Sequence, residues 1–209
     1  MREHRVFILS GPSGAGKTSL AQALVQAVPE ALLSVSHTTR PRRPGERDGH
    51  DYHFVDRRCF ERMIAQDSFL EHAEVFDHLY GTSREVVANG LAAGQHVVLD
   101  IDWQGARQVR QRQADARSIF VLPPSLEELE RRLRGRGQDE EAVIRRRMRD
   151  AVDEMRHFEE YDYLVVNDSY QAALDDLVNI VAGHPERARA HGAEVAARLL
   201  GDGAERSYA

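Results

Sequence analysis

Residues 11–20 read GPSGAGKTSL, and they follow the apolar run of residues 6–9 after a single serine. The stretch matches G-x-x-x-x-G-K-[ST], a pattern in which glycines let successive backbone N–H groups turn toward one oxyanion. The preceding run is typical of a buried strand, and apolar residues recur at helical spacing over residues 20–28. The sequence therefore predicts a strand, a phosphate-binding loop and a helix whose N-terminus favours negative charge.

The loop predicts a site for a nucleoside triphosphate. Lys17 is expected to reach the β- and γ-phosphates, and the Thr18 hydroxyl is expected to ligate Mg²⁺. The alternative is a glycine-rich turn carrying an exposed lysine. The candidate residues for binding the triphosphate are Gly11, Pro12, Ser13, Gly14, Ala15, Gly16, Lys17, Thr18 and Ser19.

Composition narrows the class of protein. The 209 residues suit one domain with insertions, and 42% apolar with 30% charged residues is ordinary for a globular chain. A net charge of −6 argues against a general nucleic-acid binder. The single cysteine, Cys59, excludes an intramolecular disulfide, and the ten histidines lack zinc-site spacing. The N-terminal apolar run is too short for a signal or a membrane span. We therefore expect a cytoplasmic location, with no membrane or nucleic-acid partner.

The order of elements predicts an α/β fold. Candidate strands cover residues 5–10, 32–36, 51–55, 96–102, 117–122 and 162–167. Candidate helices cover residues 17–28, 57–66, 83–92, 125–134, 139–159 and 170–182. Continuous apolar runs such as residues 97–99 and 119–122 favour a parallel sheet buried on both faces. The expected fold is a three-layer P-loop fold around a parallel central sheet.

Two stretches are predicted to be insertions into this framework. The core is assigned to residues 1–34, 83–124 and 160–185. The first insertion, residues 35–82, contains a loop rich in proline, glycine and charge, and the second, residues 125–159, is helical and strongly charged. Such segments beside a nucleotide site are usually functional. Residues 186–209 form a tail, predicted as a helix ending near Gly201 that docks on a neighbouring surface.

The first insertion carries side chains suited to a phosphate monoester. Arg40 and Arg43 lie among prolines that limit backbone freedom, and guanidinium groups bind phosphate oxygens in pairs. Tyr52 and Tyr80 offer phenolic donors for the same oxygens. The alternative is an exposed basic loop without a ligand.

The residues named so far belong to a longer series of motifs that resembles a known family. The stretches GPSGAGKTS, SVSHTTRPRRPGE, DYHFV, FLEHAEVF, YGT, LDIDWQGA, LPPSLEELERRLRGRG and YLVVND occur in the order and approximate spacing of bacterial guanylate kinases, over about residues 5–185. Resemblance to this family of nucleoside monophosphate kinases implies a GMP-binding insertion and a helical lid. The residues that it implies for the GMP site are Ser36, Arg40, Arg43, Glu46, Tyr52, Glu71, Tyr80, Thr82, Asp100 and Asp102.

The resemblance also implies separate roles for these residues, in binding the 5′-phosphate and in recognising guanine. Arg40, Arg43, Tyr52 and Tyr80 are implied to hold the 5′-phosphate, and Ser36, Glu71, Thr82 and one of Asp100 and Asp102 are implied to read guanine. Period-two spacing places both aspartates on one face of a strand, at its carboxyl end. One of them is expected to serve guanine or to organise water on Mg²⁺, and the choice stays open. The alternative is a carboxylate pair at an exposed strand end.

The second insertion resembles the family's lid. Arg132, Arg136 and Arg147 are implied to close over the transferring phosphoryl group as catalytic residues, and Asn167 and Asp168 are implied to border the adenine of ATP. Charge patterning supplies an alternative for Arg132, because Glu128 lies four residues before it and such pairs stabilise any exposed helix.

The resemblance implies transfer of the γ-phosphoryl group of ATP to GMP, giving ADP and GDP, with Mg²⁺ as cofactor and a place in purine nucleotide metabolism. One alternative is a kinase for another small molecule, such as a sugar phosphate. A second is a non-catalytic interaction module of guanylate-kinase type. Whether the chain forms a homo-oligomer such as a dimer is left open by the sequence.

Overall fold

The computed structural model describes residues 4–75, 77–135 and 141–205, with side chains as far as residue 201. The strands are β1 Val6–Ser10, β2 Ala31–Leu33, β3 His37–Thr38, β4 His53–Phe54, β5 Phe69–Val75, β6 His78–Ser83, β7 His96–Asp100, β8 Arg117–Leu122 and β9 Tyr163–Val166. The helices are α1 Lys17–Ala27, α2 Arg57–Ala65, α3 Arg84–Ala92, α4 Trp103–Arg112, α5 Leu126–Arg134, α6 Glu141–Met155, α7 Tyr170–Val181 and α8 Gly192–Glu205.

The strands form two sheets. The five-stranded sheet has the order β2-β7-β1-β8-β9, and the pairs β2–β7 and β8–β9 are parallel. The four-stranded sheet has the order β4-β3-β6-β5, with β6 antiparallel to both β3 and β5. The α/β class with a parallel central sheet is therefore confirmed. Its strand β8 is buried from Ser118 to Leu122, as expected for a strand covered on both faces.

The chain divides into two compact units. The first runs to Ile8 and resumes over Pro29–Arg117, and its four-stranded sheet packs around buried Phe60, Phe69 and Leu79. The second comprises Leu9–Val28 and the chain from Ser118 onward.

The second unit is mostly helical. Helix α1 packs against α7, and α8 packs against α5, α6 and β9. Helix α5 buries Leu126, Leu129 and Leu133, the stripe expected from its i, i+3, i+7 spacing. Within the tail, helix α8 covers Gly192–Glu205, so it continues past Gly201, where the sequence predicted its end, and it packs on elements of its own chain.

Several predicted elements differ from the observed ones. The strand predicted over residues 32–36 is β2, which ends at Leu33, and the helix predicted over residues 139–159 ends at Met155. Strands β3, β5 and β6 and helix α4 were not predicted. Helix α4 was missed because its sequence, WQGARQVRQR, is polar, with only Gly105, Ala106 and Val109 buried. Within the described ranges, no helix is long and apolar enough to cross a membrane.

Candidate functional site

The predicted phosphate loop connects β1 to α1 directly. Buried β1 ends at Ser10, and α1 begins at Lys17 with Gly16 as its N-terminal cap in the left-handed region, φ 95°. The Ala15 N–H donates to the Pro12 carbonyl at 3.1 Å, which closes the turn between them. The strand, loop and helix predicted from residues 11–20 are present.

Glycine is required at two loop positions by close contacts as well as by backbone angles. A Cβ at Gly11, where φ is 142°, would collide with the Val121 carbonyl of β8. A Cβ at Gly16 would collide with the side-chain amide of Asn167. The loop therefore lies directly on the carboxyl ends of β8 and β9, the edge at which parallel sheets place ligands.

The loop cation is held close to the loop backbone. Lys17 Nζ donates to the Gly11 carbonyl at 2.6 Å and to the Pro12 carbonyl at 3.1 Å. Thr18, in the first turn of α1, is exposed. No cluster of three or more His, Cys, Asp or Glu side chains suited to a metal occurs in the part of the chain that the structure describes. The one hydroxyl of Thr18 fits Mg²⁺, which usually takes few protein ligands and completes its shell with water and substrate phosphates.

Two of the predicted side chains donate hydrogen bonds to the loop backbone at Ala15. Asn167, 5% exposed, donates from Nδ2 to the Ala15 carbonyl at 2.7 Å. Arg132 of α5 donates from Nη2 to the Asn167 carbonyl at 2.9 Å and from Nη1 to the Ala15 carbonyl at 3.4 Å. Arg132 also donates from Nε to Glu128 at 2.7 Å, so the helix pair expected from the charge pattern forms as well. The structure thus brings Arg132, Asn167 and the loop together.

The other predicted residues of this region have separate surroundings. Asp168 accepts a hydrogen bond from Arg189 Nη1 at 2.8 Å, which lowers its pKa despite the opposing effect of partial burial. Arg147 is half-buried on α6, the helix that packs against α5. Arg136 lies outside the described residues.

A second cluster gathers the predicted phosphate-binding side chains of the first unit. Arg40 pairs with Glu46 at 2.6 Å, and its guanidinium lies 5.3 Å from the centroid of the Tyr52 ring. The rings of Tyr52 and Tyr80 meet edge to face, with centroids 5.9 Å apart. The backbone N–H of Arg43 donates to the same Glu46 carboxylate at 2.7 Å. Glu46 therefore fixes both the Arg40 guanidinium and the loop that carries Arg43.

The Tyr52 phenol also lies near the end of β7. Burial, followed by the negative charge of Asp100, raises the pKa of Tyr52 well above its usual range. Asp100 is therefore within electrostatic reach of the arginine and tyrosine cluster. Ser36, 8% exposed, accepts at its backbone carbonyl from the His53 N–H at 2.9 Å, which joins the predicted loop to β4.

The carboxylate of Glu71 is almost completely buried. Glu71 lies on β5 opposite Thr82 of β6, is 2% exposed, and accepts at Oε1 from the Thr82 hydroxyl at 2.6 Å. Burial raises the pKa of Glu71 to about 7, against the effect of the Thr82 hydrogen bond and with a further contribution from the charge of Asp102. Carboxylates are seldom buried without a partner for their charge, and such shifted groups concentrate at functional sites.

The strand placement predicted for Asp102 is wrong. Strand β7 ends at Asp100, and Asp102 is the N-terminal cap of α4, accepting from the Gly105 N–H at 2.9 Å. Its second oxygen accepts from Gln104 Nε2 at 3.1 Å. An aspartate followed by a helix is a strong capping signal, since its side chain satisfies an otherwise unpaired N–H of the first turn. Asp100 and Asp102 therefore do not share a strand face.

Sequence reasoning missed several residues that hold these clusters. Arg189, in the tail, donates to Asp168, to buried Asp176 at 2.7 Å and to the Val166 carbonyl at 2.9 Å, so it ties the tail to the end of β9 and to the middle of α7. Gln108 and Arg112 of α4 bond the backbone of β5 beside Glu71. Nothing in the local pattern marks these partners, which are 13 to 43 residues away along the chain.

A glycine loop between a buried strand and a helix, at the carboxyl edge of a parallel sheet, defines a P-loop nucleotide-binding protein. A family model described as guanylate kinase matches residues 3–183. This chain belongs to the guanylate kinase family, as the sequence motifs indicated.

Individual relatives agree with the family model. Guanylate kinase of Sodalis glossinidius is 55% identical over 207 residues, covering 97% of this chain and 100% of the relative. Guanylate kinase of Escherichia coli strain K12 is 58% identical over 183 residues, covering 87% of this chain and 88% of the relative. The crystal structure of guanylate kinase from Anaplasma phagocytophilum matches with a TM-score of 0.74 and 34% identity, covering 92% of this chain and 93% of that one.

Proposed function

We propose that this chain is a guanylate kinase that transfers the γ-phosphoryl group of ATP to GMP, giving ADP and GDP. The observation that carries the proposal is the buried Glu71 carboxylate bonded to Thr82, in a chain that also has a phosphate loop. Guanine presents its N1–H and 2-amino group side by side as donors, and one carboxylate accepts both. Adenine has an unprotonated N1 and no 2-amino group, so its lone pair would face the same anion.

The 5′-phosphate of GMP is assigned to the cluster of Arg40, Arg43, Tyr52 and Tyr80. Glu46 holds Arg40 and the Arg43 backbone in place, and the rigid phenols offer donors beside the guanidinium. Paired N–H donors of arginine match phosphate oxygens better than a single ammonium does. Ser36 and one of Asp100 and Asp102 complete the proposed base site. The other of the two aspartates would organise water on Mg²⁺.

ATP is assigned to the loop of residues 11–19, with Asn167 and Asp168 beside it. Mg²⁺, held through Thr18 and the phosphates, would neutralise charge on the β- and γ-phosphoryl oxygens. A phosphate oxygen of GMP forms the new bond to the γ-phosphorus as the bond to the ADP oxygen breaks, with no covalent enzyme intermediate. Lys17 and the lid arginines Arg132, Arg136 and Arg147 stabilise the charge that spreads over the transferring group.

A strong general base is unnecessary in this scheme, since the acceptor is already an oxyanion. What the protein must supply is alignment and exclusion of water, because an accessible triphosphate would be hydrolysed. The proposal includes a GMP-binding insertion over residues 35–82 and a lid over residues 125–159, with the rest of residues 1–185 as the core. A cytoplasmic location and a role in purine nucleotide recycling belong to it as well.

A coupled assay for ADP tests the proposal directly. The protein is given ATP and Mg²⁺ with GMP, AMP, UMP or no acceptor. ADP should form with GMP at a rate far above that with the other acceptors. Equal rates with AMP would rule out the base assignment, and no ADP with any acceptor would favour a non-catalytic module. Sedimentation of the same preparation would establish its oligomeric state.

A further inference from the structure

Strand β5, which carries Glu71, is an edge strand supported by a helix. Among the described strands it pairs with β6 alone, and helix α4 packs against it. Backbone groups on a covered strand edge require hydrogen-bond partners, because burying them unpaired is unfavourable. Side chains of α4 supply these partners.

Gln108 acts on β5 as a neighbouring strand would. Its Nε2 donates to the His72 carbonyl at 2.7 Å, and its Oε1 accepts from the His72 N–H at 3.2 Å. Both backbone groups of the residue that follows Glu71 are thus bonded to one side-chain amide.

Arg112 bonds the residues that precede Glu71. Its Nη1 donates to the carbonyls of Phe69, at 3.3 Å, and of Leu70. The register between β5 and β6 shifts between Phe69 and Glu71, so this part of the strand lacks the regular ladder that would otherwise fix it. Gln108 and Arg112 therefore clamp the backbone on both sides of the buried carboxylate.

The same helix face touches the carboxylate itself. Gly105, Gln108 and Arg112 are spaced i, i+3 and i+7, which places them on one side of α4. A Cβ at Gly105 would collide with Glu71 Oε2 and lie 3.0 Å from Glu71 Cδ. The Gly105 N–H, in turn, donates to the capping Asp102. Helix α4 therefore lies against the Glu71 carboxylate and is capped by the Asp102 carboxylate.

We propose that Gln108 and Arg112 are positioning residues for guanine recognition, which hold Glu71 in the orientation that accepts both guanine donors. The inference rests on the proposed function. A recognition group must be held within about half an ångström of its productive position, and a group on an edge strand needs outside support to meet that limit. Gln108 acts through the β5 backbone, since its described bonds go to the N–H and carbonyl of His72. Arg112 bonds backbone carbonyls as well, and its charge also lowers the pKa of Glu71, so Gln108 gives the cleaner test of positioning.

The test uses Gln108→Met, which keeps the length of the side chain and removes both bonds to His72. Gln111→Met is the matched control, because Gln111 lies on the same helix and is exposed. Steady-state kinetics are measured with GMP, with ATP, and with inosine monophosphate, whose base has the N1–H but no 2-amino group. Gln108→Met should raise KM for GMP by about five- to tenfold and narrow the preference for GMP over inosine monophosphate. KM for ATP should stay within about twofold, and Gln111→Met should match the unmodified protein.

A second pair of variants separates positioning from general stability. Gln108→Glu keeps an acceptor for the His72 N–H but sets a second acceptor against the His72 carbonyl, so its KM for GMP should rise at least as far as in Gln108→Met. Arg112→Met should also raise KM for GMP, as Gln108→Met does. An unchanged KM for GMP in Gln108→Met would overturn the inference. If KM for GMP and KM for ATP rise equally in both Gln108 variants, or if neither variant folds, Gln108 has a purely structural role. Either result would also overturn the inference. If the unmodified protein does not phosphorylate GMP, the proposed function fails first, and separately.

Discussion

The proposed ATP site takes its groups from consecutive residues 11–19, whereas the proposed GMP site collects side chains spread from Ser36 to Asp102. The loop would bind mainly through its backbone, which is shaped by glycines that have no room for a Cβ. The proposed GMP site would bind through side chains, and its buried carboxylate is bonded to Thr82 of the neighbouring strand, while helix α4 bonds the backbone beside it. A local backbone site tolerates little change at its own positions. A dispersed side-chain site depends on supports that lie outside it.

The loop should show the largest single effect. Lys17→Ala is expected to lower kcat by more than about a hundredfold, because in the proposed mechanism the ammonium stabilises charge that develops in the transition state, and it contributes little to packing. Lys17 is half-buried and bonded only to loop carbonyls in the contacts described, so the fold should survive. Initial rates with saturating GMP and ATP, together with thermal unfolding, measure both effects. A loss of less than tenfold would contradict the assignment of the loop.

The composition of the chain gives this prediction a second test. Lys17 is the only lysine in the sequence, all other basic side chains except histidine being arginine. An amine-directed acylating reagent should therefore modify Lys17 and the N-terminal amine alone. Acylation of Lys17 should abolish transfer, and bound ATP should slow the modification. Mass spectrometry of the peptide that contains residue 17 follows the reaction.

The GMP site should show the next largest effect. Glu71→Gln is expected to cut kcat/KM for GMP by about tenfold to a hundredfold, as for the loss of charge-assisted hydrogen bonds. Glu74→Gln is the matched control, because Glu74 lies on the same strand and is exposed. The unmodified protein should prefer GMP to AMP by about 10⁴-fold, since adenine leaves the carboxylate unpaired. Similar behaviour of the two variants would remove Glu71 from base recognition.

A smaller effect is expected where the lid meets the loop. Arg132→Met removes the bonds to the Ala15 and Asn167 carbonyls and should lower kcat/KM for ATP by about tenfold. Arg131→Met is the control, because Arg131 binds the same Glu128 but its side chain is 75% exposed. Both arginines donate to Glu128, and these hydrogen bonds lower the pKa of Glu128 to about 2. Each variant therefore leaves that carboxylate with one arginine partner. Equal effects of the two substitutions would reduce Arg132 to an ordinary helix pair.

The difference between a local loop and a site of dispersed side chains also explains which residues the sequence predicted. A loop pattern between a strand and a helix is local, so Gly11, Gly16 and Lys17 were assigned from spacing alone. Glu71 and Thr82 were assigned only through the resemblance to a family, because no local rule predicts a buried glutamate. Strand β5 was missed for that reason: Glu71 interrupts the apolar alternation that marks a strand.

Other misses also follow from contacts made far along the chain. Helix α4 is polar, and its tertiary role depends on Gln108 and Arg112 meeting a strand about 40 residues earlier. Asp102 was placed on a strand by period two, although an aspartate also caps helices, and capping prevails here. Arg189 was unassigned because its partners, Asp168 and Asp176, are brought near it only by the folding of α7 and the tail.

The smallest expected effect is a pH dependence that separates the two sites. The pKa of Glu71 is about 7 in the folded protein, above the value of about 4.3 for an exposed glutamate. Guanine donates two hydrogen bonds, so it binds the ionised form, whose fraction falls from about nine-tenths at pH 8 to about one-tenth at pH 6. KM for GMP should therefore rise severalfold, and at most about tenfold, as the pH is lowered from 8 to 6.

The phosphate of GMP also titrates near pH 6, so the measurement needs a variant that keeps this titration and lacks the carboxylate. Glu71→Gln meets that need, and its KM for GMP should change less over the same range. A raised pKa in the folded state also means that Glu71 favours folding at low pH and that this contribution is lost as the pH rises through 7. Thermal unfolding of the free protein should accordingly show Glu71→Gln gaining stability relative to the unmodified protein between pH 6 and pH 8. Parallel profiles for the two proteins, in both KM and unfolding, would show that Glu71 does not titrate in this range and that the base site owes its selectivity to another group.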